Sequence, residues 1–414
     1  MTTFANYFLQ SISMAAEISL ATNKNRGMAN FLAMALLPLS GFATDIYLPS
    51  LPNMAGTLHV SNIQVQLTLT LFLISYGITQ LFIGSVLDSF GRYRIGMLCL
   101  VLFAASCIVI ANTSNFYIIY AMRILHGITV GTVVVGKRAY FIDLFTGDKL
   151  KHYLSLFSII WSTGPIIAPF IGGYLQQSFG WQSNFYFLAG FAVLLLIMEL
   201  IYSSETLPHF YPFKMRSIAR VYLTMVKTAD FTLGLVMCGL AYCMVIMFNM
   251  TGPFIIEHTL NLSPIVAGYS SLFLGIAWML GGFFGKATIT KPFFKRMVVN
   301  ISLQVFFVIA MLISSRYIGN LYTLLSFAFV IQLAAGYTFN NFFTYCLSRF
   351  PKNGGIASGL SGGMSYIVIS ICSSVIIFFI HAKDEFNLGL SYGILIGISV
   401  MVMLALGMGK KKLG

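Results

Sequence analysis

Charged side chains are scarce in this sequence of 414 residues: they make up 8% of it, and only eleven of them are acids. A soluble protein carries about 25%. With 58% hydrophobic residues, a soluble core has too little volume to hide the apolar surface, and the class is a polytopic membrane protein. Metal-ligand spacing is missing too. The six cysteines (Cys99, Cys107, Cys238, Cys243, Cys346 and Cys372) lie in apolar stretches without a CxxC pair, and the six histidines form no HxxH or HExxH. That argues against a metal site and leaves the cysteines as small buried hydrophobes. No paired catalytic acids, ligand cluster or nucleophile triad stands out, so neither an enzyme nor a bound cofactor is expected. The net charge of +13 comes in short basic clusters between apolar runs, without the interleaved aromatics of a strand-binding groove. No nucleic-acid partner is expected. No basic stretch precedes the first apolar segment, residues 4–21; Lys24 and Arg26 follow it. That order does not fit a cleaved signal peptide. With Asn6, Gln10, Ser11, Ser13 and Glu17 inside it, the segment reads as a cytoplasmic or interfacial helix, or as the result of a start codon placed too far upstream.

Long apolar runs are plentiful. A helix crossing ~30 Å of hydrocarbon needs about 20 residues, and twelve stretches qualify: 29–50, 63–87, 95–113, 115–137, 152–176, 183–202, 231–250, 264–285, 297–315, 319–346, 354–380 and 388–409. The alternating ten-residue segments of a membrane barrel are absent. Basic residues mark every second loop: Lys24 and Arg26; Arg92 and Arg94; Lys149 and Lys151; Lys214, Arg216, Arg220 and Lys227; Lys286, Lys291, Lys295 and Arg296; Arg349 and Lys352; Lys410, Lys411 and Lys412. The other loops hold only Arg316 and Lys383. The positive-inside rule makes the first set cytoplasmic, with both termini inside. The longest connection follows span 6 and divides the chain into two sets of six, as a transporter built from parallel repeats requires. The expected organisation is an interfacial segment 1–28, a six-helix bundle 29–202, a cytoplasmic linker 203–230, a second bundle 231–409 and a basic tail 410–414. The fold class is an all-α membrane protein of twelve transmembrane helices in two bundles.

Four motifs stand out. "TDIYLPSLP" (44–52) closes span 1 with Asp45 just before its prolines. "GSVLDSFGRYR" (84–94) puts Gly84 and Gly91 around a cytoplasmic turn, with Asp88 and Arg92 four apart on its rim. The glycines permit close approach and sharp reversal. "RILHG" (123–127) places Arg123 roughly 12 Å into span 4 at 1.5 Å per residue, and an intramembrane arginine is a functional candidate, usually with a carboxylate partner. "STGPIIAPFIGGYL" (162–175) lines Gly164, Pro165, Gly172 and Gly173 along span 5, a small-residue face with an expected kink.

Together these segments resemble the major facilitator superfamily. The 84–94 turn resembles its loop 2–3 signature, a gate for conformational change; Arg123 and Gly127 match its span-4 signature; and 164–173 looks like the antiporter signature of drug:proton exporters. "TDIYLPSLP", residues 66–92 and "SSETL" (203–207) are similar to the Bcr/CflA type of drug-resistance exporter. The resemblance covers essentially the whole chain and implies the major facilitator fold, with spans 1, 4, 7 and 10 around a cavity. Departures are Ser89 where a basic residue is common, His126 where glutamine is common, Ile142 in "RAYFID" with Arg138 and Asp143 retained, and no acid near 281–291.

Asp45 is the only acid set clearly inside a span, and Arg123 lies at similar depth, so the two are expected to approach. Burial and a nearby arginine act on a carboxyl in opposite directions. Asp45 therefore serves as a proton carrier if Arg123 nears it in one state and withdraws in another; the bland alternative is a static pair, or a carboxylate capped by Tyr47 or Thr44. His126, three residues after Arg123, is a candidate second titrating group, though packing explains it as well. Arg138 is expected near the inner mouth of the cavity, beside Lys137. Asn249, Tyr337, Asn340 and Asn341, with Phe248, Phe339, Phe342 and Phe343, are the candidate lining for an amphiphilic ligand. The expected activity is proton-driven export of amphiphilic small molecules by a monomer in the bacterial inner membrane, with protons, substrate and lipid bilayer as its partners and the proton gradient in place of a cofactor. A cationic substrate competing with the proton at Asp45 gives antiport. The excess of base in the cavity leaves open an exporter of an anionic metabolite such as a siderophore, and a proton-symport importer remains a third reading.

Overall fold

Apolar runs of this length leave the backbone one way to satisfy its own hydrogen bonds, the α-helix. The computed structural model describes residues 26–207, 215–350, 354–381 and 383–411, and every regular element among them is helical. The first apolar stretch is broken, where its hydropathy predicts one helix ending at Pro49 and Pro52. It runs as α1 (Arg26–Ala35), α2 (Pro38–Asp45), a 3-10 turn (Leu48–Ser50) and α3 (Leu51–Thr57). Pro38, Pro49 and Pro52 each stand at the start of a new segment, where a missing N–H costs nothing. These prolines redirect the helix without ending the span, which continues to Thr57 and leaves Asp45 deeper than expected.

The first half continues with α4 (Asn62–Phe90), α5 (Arg92–Asn112), α6 (Phe116–Leu144), α7 (Gly147–Phe179) and α8 (Gln182–Tyr202). α9 (Met215–Val226) lies in the connection. The second half comprises α10 (Ala229–Phe254), prolonged by a π-helical turn (Ile255–Thr259), then α11 (Pro264–Ala287), α12 (Phe293–Ser314), α13 (Leu321–Arg349), α14 (Gly354–Phe379) and α15 (Glu385–Lys411). Among the described residues, eleven helical runs are long and apolar enough to cross a membrane; α7, at 33 residues, runs beside them. The connection is more than a bare linker: the Tyr222 hydroxyl of α9 donates to the Leu81 carbonyl at 2.8 Å, tying it to α4.

Each half repeats one packing scheme. In the first, α4 packs on α6, α5 on α8, and α2 on α7; in the second, α11 packs on α13, α12 on α15, and α10 on α14. Small residues make the closest of these contacts. A Cβ on Gly127 would lie 2.5 Å from the Phe72 carbonyl oxygen of α4, and one on Gly336 would lie 2.3 Å from the Trp278 carbonyl oxygen of α11. The halves meet along two seams, α4 against α14 and α7 against α11. α10 also touches the 3-10 turn and α3, and this brings the broken first span to the middle of the molecule.

Candidate functional site

Asp45 ends α2, and the 3-10 turn that follows carries Tyr47 and Ser50 inward. The carboxylate is fully enclosed. Its Oδ1 accepts a hydrogen bond of 3.2 Å from Asn249 Nδ2 of α10, while Oδ2 has no partner. Asn249 Oδ1 in turn accepts from the Ser271 hydroxyl of α11 at 3.5 Å. One position along, Gln66 Nε2 of α4 donates to the Met250 carbonyl at 2.7 Å. Two consecutive residues of α10 therefore hold the first half, one through Asp45 and one through Gln66.

Arg123 is also fully enclosed, but it makes no ion pair with Asp45. It comes near Asp45 as expected, held by a clamp that includes Ala43 and Tyr47 on either side of the acid. Nη1 donates to the Ala43 carbonyl at 3.0 Å and faces His126 Nδ1 at 3.2 Å; Nη2 donates to the Tyr47 hydroxyl at 3.2 Å. The guanidinium lies over the Tyr47 ring at 4.4 Å and the Phe72 ring at 4.7 Å. Carbonyl dipoles and ring faces hold the charge in place of a carboxylate. Because Arg123 can only donate, His126 Nδ1 is the acceptor, and the ring hydrogen sits on Nε2, 3.4 Å from Cys107 Sγ. This is the neutral tautomer, built to hold Arg123. The Tyr47 hydroxyl is shared with Thr68 at 2.9 Å.

A bridge of rings crosses the molecule on the other side of Asn249. Tyr76 of α4 meets Tyr366 of α14 edge-on at 4.7 Å; Tyr366 meets Tyr242 of α10 at 6.1 Å; and Tyr242 meets Trp278 of α11 at 5.4 Å. Phe339 of α13 closes on Trp278 at 5.3 Å. Arg138 lies toward the basic end and donates to Ser358 of α14 at 3.0 Å. Tyr76, Tyr242, Trp278 and Tyr366 were not among the residues expected from sequence; the one available signal was an aromatic with a polar tip inside an apolar span.

Three of the residues expected to line the cavity lie elsewhere. Tyr337, Asn340 and Asn341 turn toward α11 and α12. The Tyr337 hydroxyl shares a 2.8 Å bond with Thr288, Asn341 Oδ1 accepts from Arg296 at 2.7 Å, and Asn340 sits against Gly285. These contacts place them at the basic end of the second half. Phe248 is buried against its own helix at Gly252.

At the basic end, Arg92 binds two acids, Asp88 at 2.8 Å and Asp143 of α6. The adjacent Tyr93 N–H donates to Glu205 at 3.0 Å. Gly91 has φ of +94°, a conformation that favours glycine, and makes the reversal between α4 and α5. Gly84 has open space around it, so the close helix approach expected there is absent. Along α7, Gly164 meets Gly41, Gly172 meets the Ile46 carbonyl and Gly173 meets the Pro264 carbonyl, while Pro165 touches Gly41. Asp45 is not the only acid inside a helical span. Glu199 of α8 is fully enclosed and pairs with Lys137 at 2.6 Å, and Glu385 at the start of α15 is buried and accepts from Thr323 at 2.8 Å. Sequence could not distinguish these from rim residues, because burial at a helix end depends on the neighbours.

The profile of the Major Facilitator Superfamily matches residues 31–373. The chain belongs to this superfamily. It is a multi-pass membrane transporter of the inner-membrane type, not an enzyme. The bicyclomycin resistance protein homolog of Haemophilus influenzae is 27% identical over 83% of this chain and 86% of its own length. Multidrug resistance protein D of Escherichia coli is 26% identical over 85% and 89%. Among solved structures, that of a D-xylose–proton symporter superposes with a TM-score of 0.69 at 14% identity, covering 92% of this chain and 97% of the symporter. That likeness establishes the superfamily's fold.

Proposed function

We propose that this facilitator exports amphiphilic small molecules from the cytoplasm in exchange for protons, and that Asp45 is the shared proton and substrate site. The observation that carries this reading is the buried carboxylate bonded across the two halves to Asn249, in the half of the molecule away from the basic loops. The names of the relatives, bicyclomycin and multidrug resistance, point to the same class of cargo. The rings of Tyr76, Tyr242, Trp278 and Tyr366 offer flat apolar faces next to one acid, a surface suited to aromatic or cationic amphiphiles. The basic loops face the cytoplasm, twelve spans form bundles 29–202 and 231–409, both chain termini are cytoplasmic, and the protein works as a monomer.

An antiporter must not reorient empty. An ionised Asp45 accepts from Asn249 and, with the Gln66 bond beside it, keeps the outer side shut. A proton on Asp45 removes the charge from that bond, and a cationic substrate seated on Asp45 displaces Asn249. Either occupant frees the halves to move, and the empty carrier stays locked. Arg123 does not titrate in this scheme; it fixes Ala43, Tyr47 and Phe72 around the carboxylate. Because the enclosed cation is already saturated with acceptors, the exporter of anions is less favoured than the exporter of cations and neutral amphiphiles.

The test is transport in proteoliposomes with imposed pH and voltage gradients, across cationic, neutral and anionic compounds. Asp45→Asn is expected to abolish proton-driven export and its pH dependence while retaining downhill exchange of neutral substrate. Export by Asp45→Asn that still follows the pH gradient contradicts the assignment.

A further inference from the structure

The two seams between the halves are sealed by different means. Along α7 and α11, backbone lies on backbone: a Cβ on Gly173 would be 2.7 Å from the Pro264 oxygen, and one on Gly268 would be 2.7 Å from the Pro169 oxygen. Tyr174 and Tyr269 add a hydroxyl–hydroxyl bond of 2.9 Å at the end away from the basic loops. Nothing the size of a ligand fits there. The other seam is equally tight toward the basic end, where a Cβ on Gly77 would lie 2.8 Å from the Gly363 oxygen. Toward the opposite end it widens into a groove of about 310 Å³ between α4, α10 and α14, walled by Ile63, Leu67, Val375 and Phe378. Val375 and Phe378 are more than half exposed and give the groove an apolar mouth on the outer surface of the bundle.

The groove surface is apolar, and beneath it polar side chains bond across the seam. Gln66 reaches the Met250 carbonyl at 2.7 Å, and the Ser374 hydroxyl donates to Thr70 at 3.2 Å. Met250 follows Asn249, whose amide holds Asp45. Opening the seam here breaks the Gln66 bond and connects the groove with the carboxylate.

We propose that this groove is the exit port for the apolar tail of an amphiphilic cation, which leaves sideways into the leaflet away from the basic end while its head is still at Asp45. The inference rests on the export reading above. Continuity with the seam and with Asp45 argues for substrate over a phospholipid tail, since a phospholipid brings no cation to the acid. Exit into water would expose every methylene of the tail; exit through the groove exposes none.

The full-length protein in proteoliposomes serves for both arms of the test. Photoreactive p-benzoylphenylalanine replacing Val375 is irradiated with dodecyltrimethylammonium present; covalent capture of that cation is expected, and its loss when Asp45→Asn is added. Leu67→Trp, which narrows the groove, is expected to slow proton-driven export of dodecyltrimethylammonium at least fivefold and to leave export of compact tetraphenylphosphonium within twofold of wild type. Capture of phospholipid alone, or equal slowing of both cations, overturns the proposal. A wild-type protein that exports neither cation overturns the export reading instead, and the capture arm then decides the groove by itself.

Discussion

Arg123 carries its charge at the centre of the first half with no carboxylate bonded to it. Enclosing a lone cation is costly, and the cost is offset by the Ala43 carbonyl, the Tyr47 hydroxyl, His126 Nδ1 and two ring faces. His126 is thus an acceptor in the clamp and not a proton carrier. His126→Gln keeps an acceptor in reach of the guanidinium, and transport with an unchanged pH profile is expected from it. His126→Leu leaves a guanidinium N–H unsatisfied and is expected to cost about 1–3 kcal/mol, read as a lower melting temperature in detergent. A displaced pH profile in His126→Gln means that His126 titrates. The candidacy of Asp45 was legible in sequence because an acid inside an apolar run needs an explanation. Its partner was not. Asn249 lies 204 positions away, and an amide in an apolar run carries no sign of what it faces. Arg123 does come near Asp45, through Ala43 and Tyr47 on either side of it, but which groups it bonds was not legible: counting residues gives height in the membrane but not direction around the helix axis.

The helices themselves were legible almost throughout, since hydropathy and basic loops report length and order. The break in the first span was not, because prolines look alike whether they end a helix or begin the next segment. Which face a helix turns inward was also hidden. An apolar helix among apolar neighbours lacks the polar stripe that orients a soluble one, and Tyr337, Asn340 and Asn341 proved to face α11 and α12. α10 adds a third contact between the halves besides the two seams, and its Asn249 and Met250 contacts predict a separation of coupling from transport. Asn249→Ala removes the tie that holds the empty carrier shut. It is expected to keep facilitated downhill flux but to lower by several-fold the substrate gradient sustained at a fixed pH difference. Proteoliposome flux assays with and without that gradient check it, and a variant that sustains the wild-type gradient would show that the bond does not hold the empty carrier.

The two halves share a packing scheme that the sequence barely records, because a repeat in helix packing needs only small residues at equivalent contacts, such as Gly127 and Gly336. They differ in the latch at the basic end. In the first half Arg92 joins Asp88 and Asp143. In the second the corresponding turn carries no acid: Arg296 donates to the Lys291 carbonyl at 3.0 Å, the Ile289 carbonyl at 3.5 Å and Asn341 at 2.7 Å, while the half's ion pair at this end, Arg349–Asp230 at 3.0 Å, joins α13 to α10. The first latch is ionic and partly open to water, so salt screens it; the Arg296 bonds to neutral acceptors depend less on salt, whereas the exposed Arg349–Asp230 pair is screened as well. The first latch is thus one ionic contribution to closure of the basic end, and it can be tested separately. Asp143→Asn is expected to weaken the closed state by about 1 kcal/mol, the upper range for such a pair, and so to raise several-fold the rate at which a cysteine placed at Ser358, in a background without native cysteines, reacts with a membrane-impermeant maleimide from the basic side. High salt is expected to raise that rate in the parent protein and to raise it by a smaller factor in Asp143→Asn. Asn341→Ala, which loosens the second latch without touching an ion pair, is expected to leave the salt response intact. Equal salt responses in the parent and Asp143→Asn proteins would place the gate elsewhere.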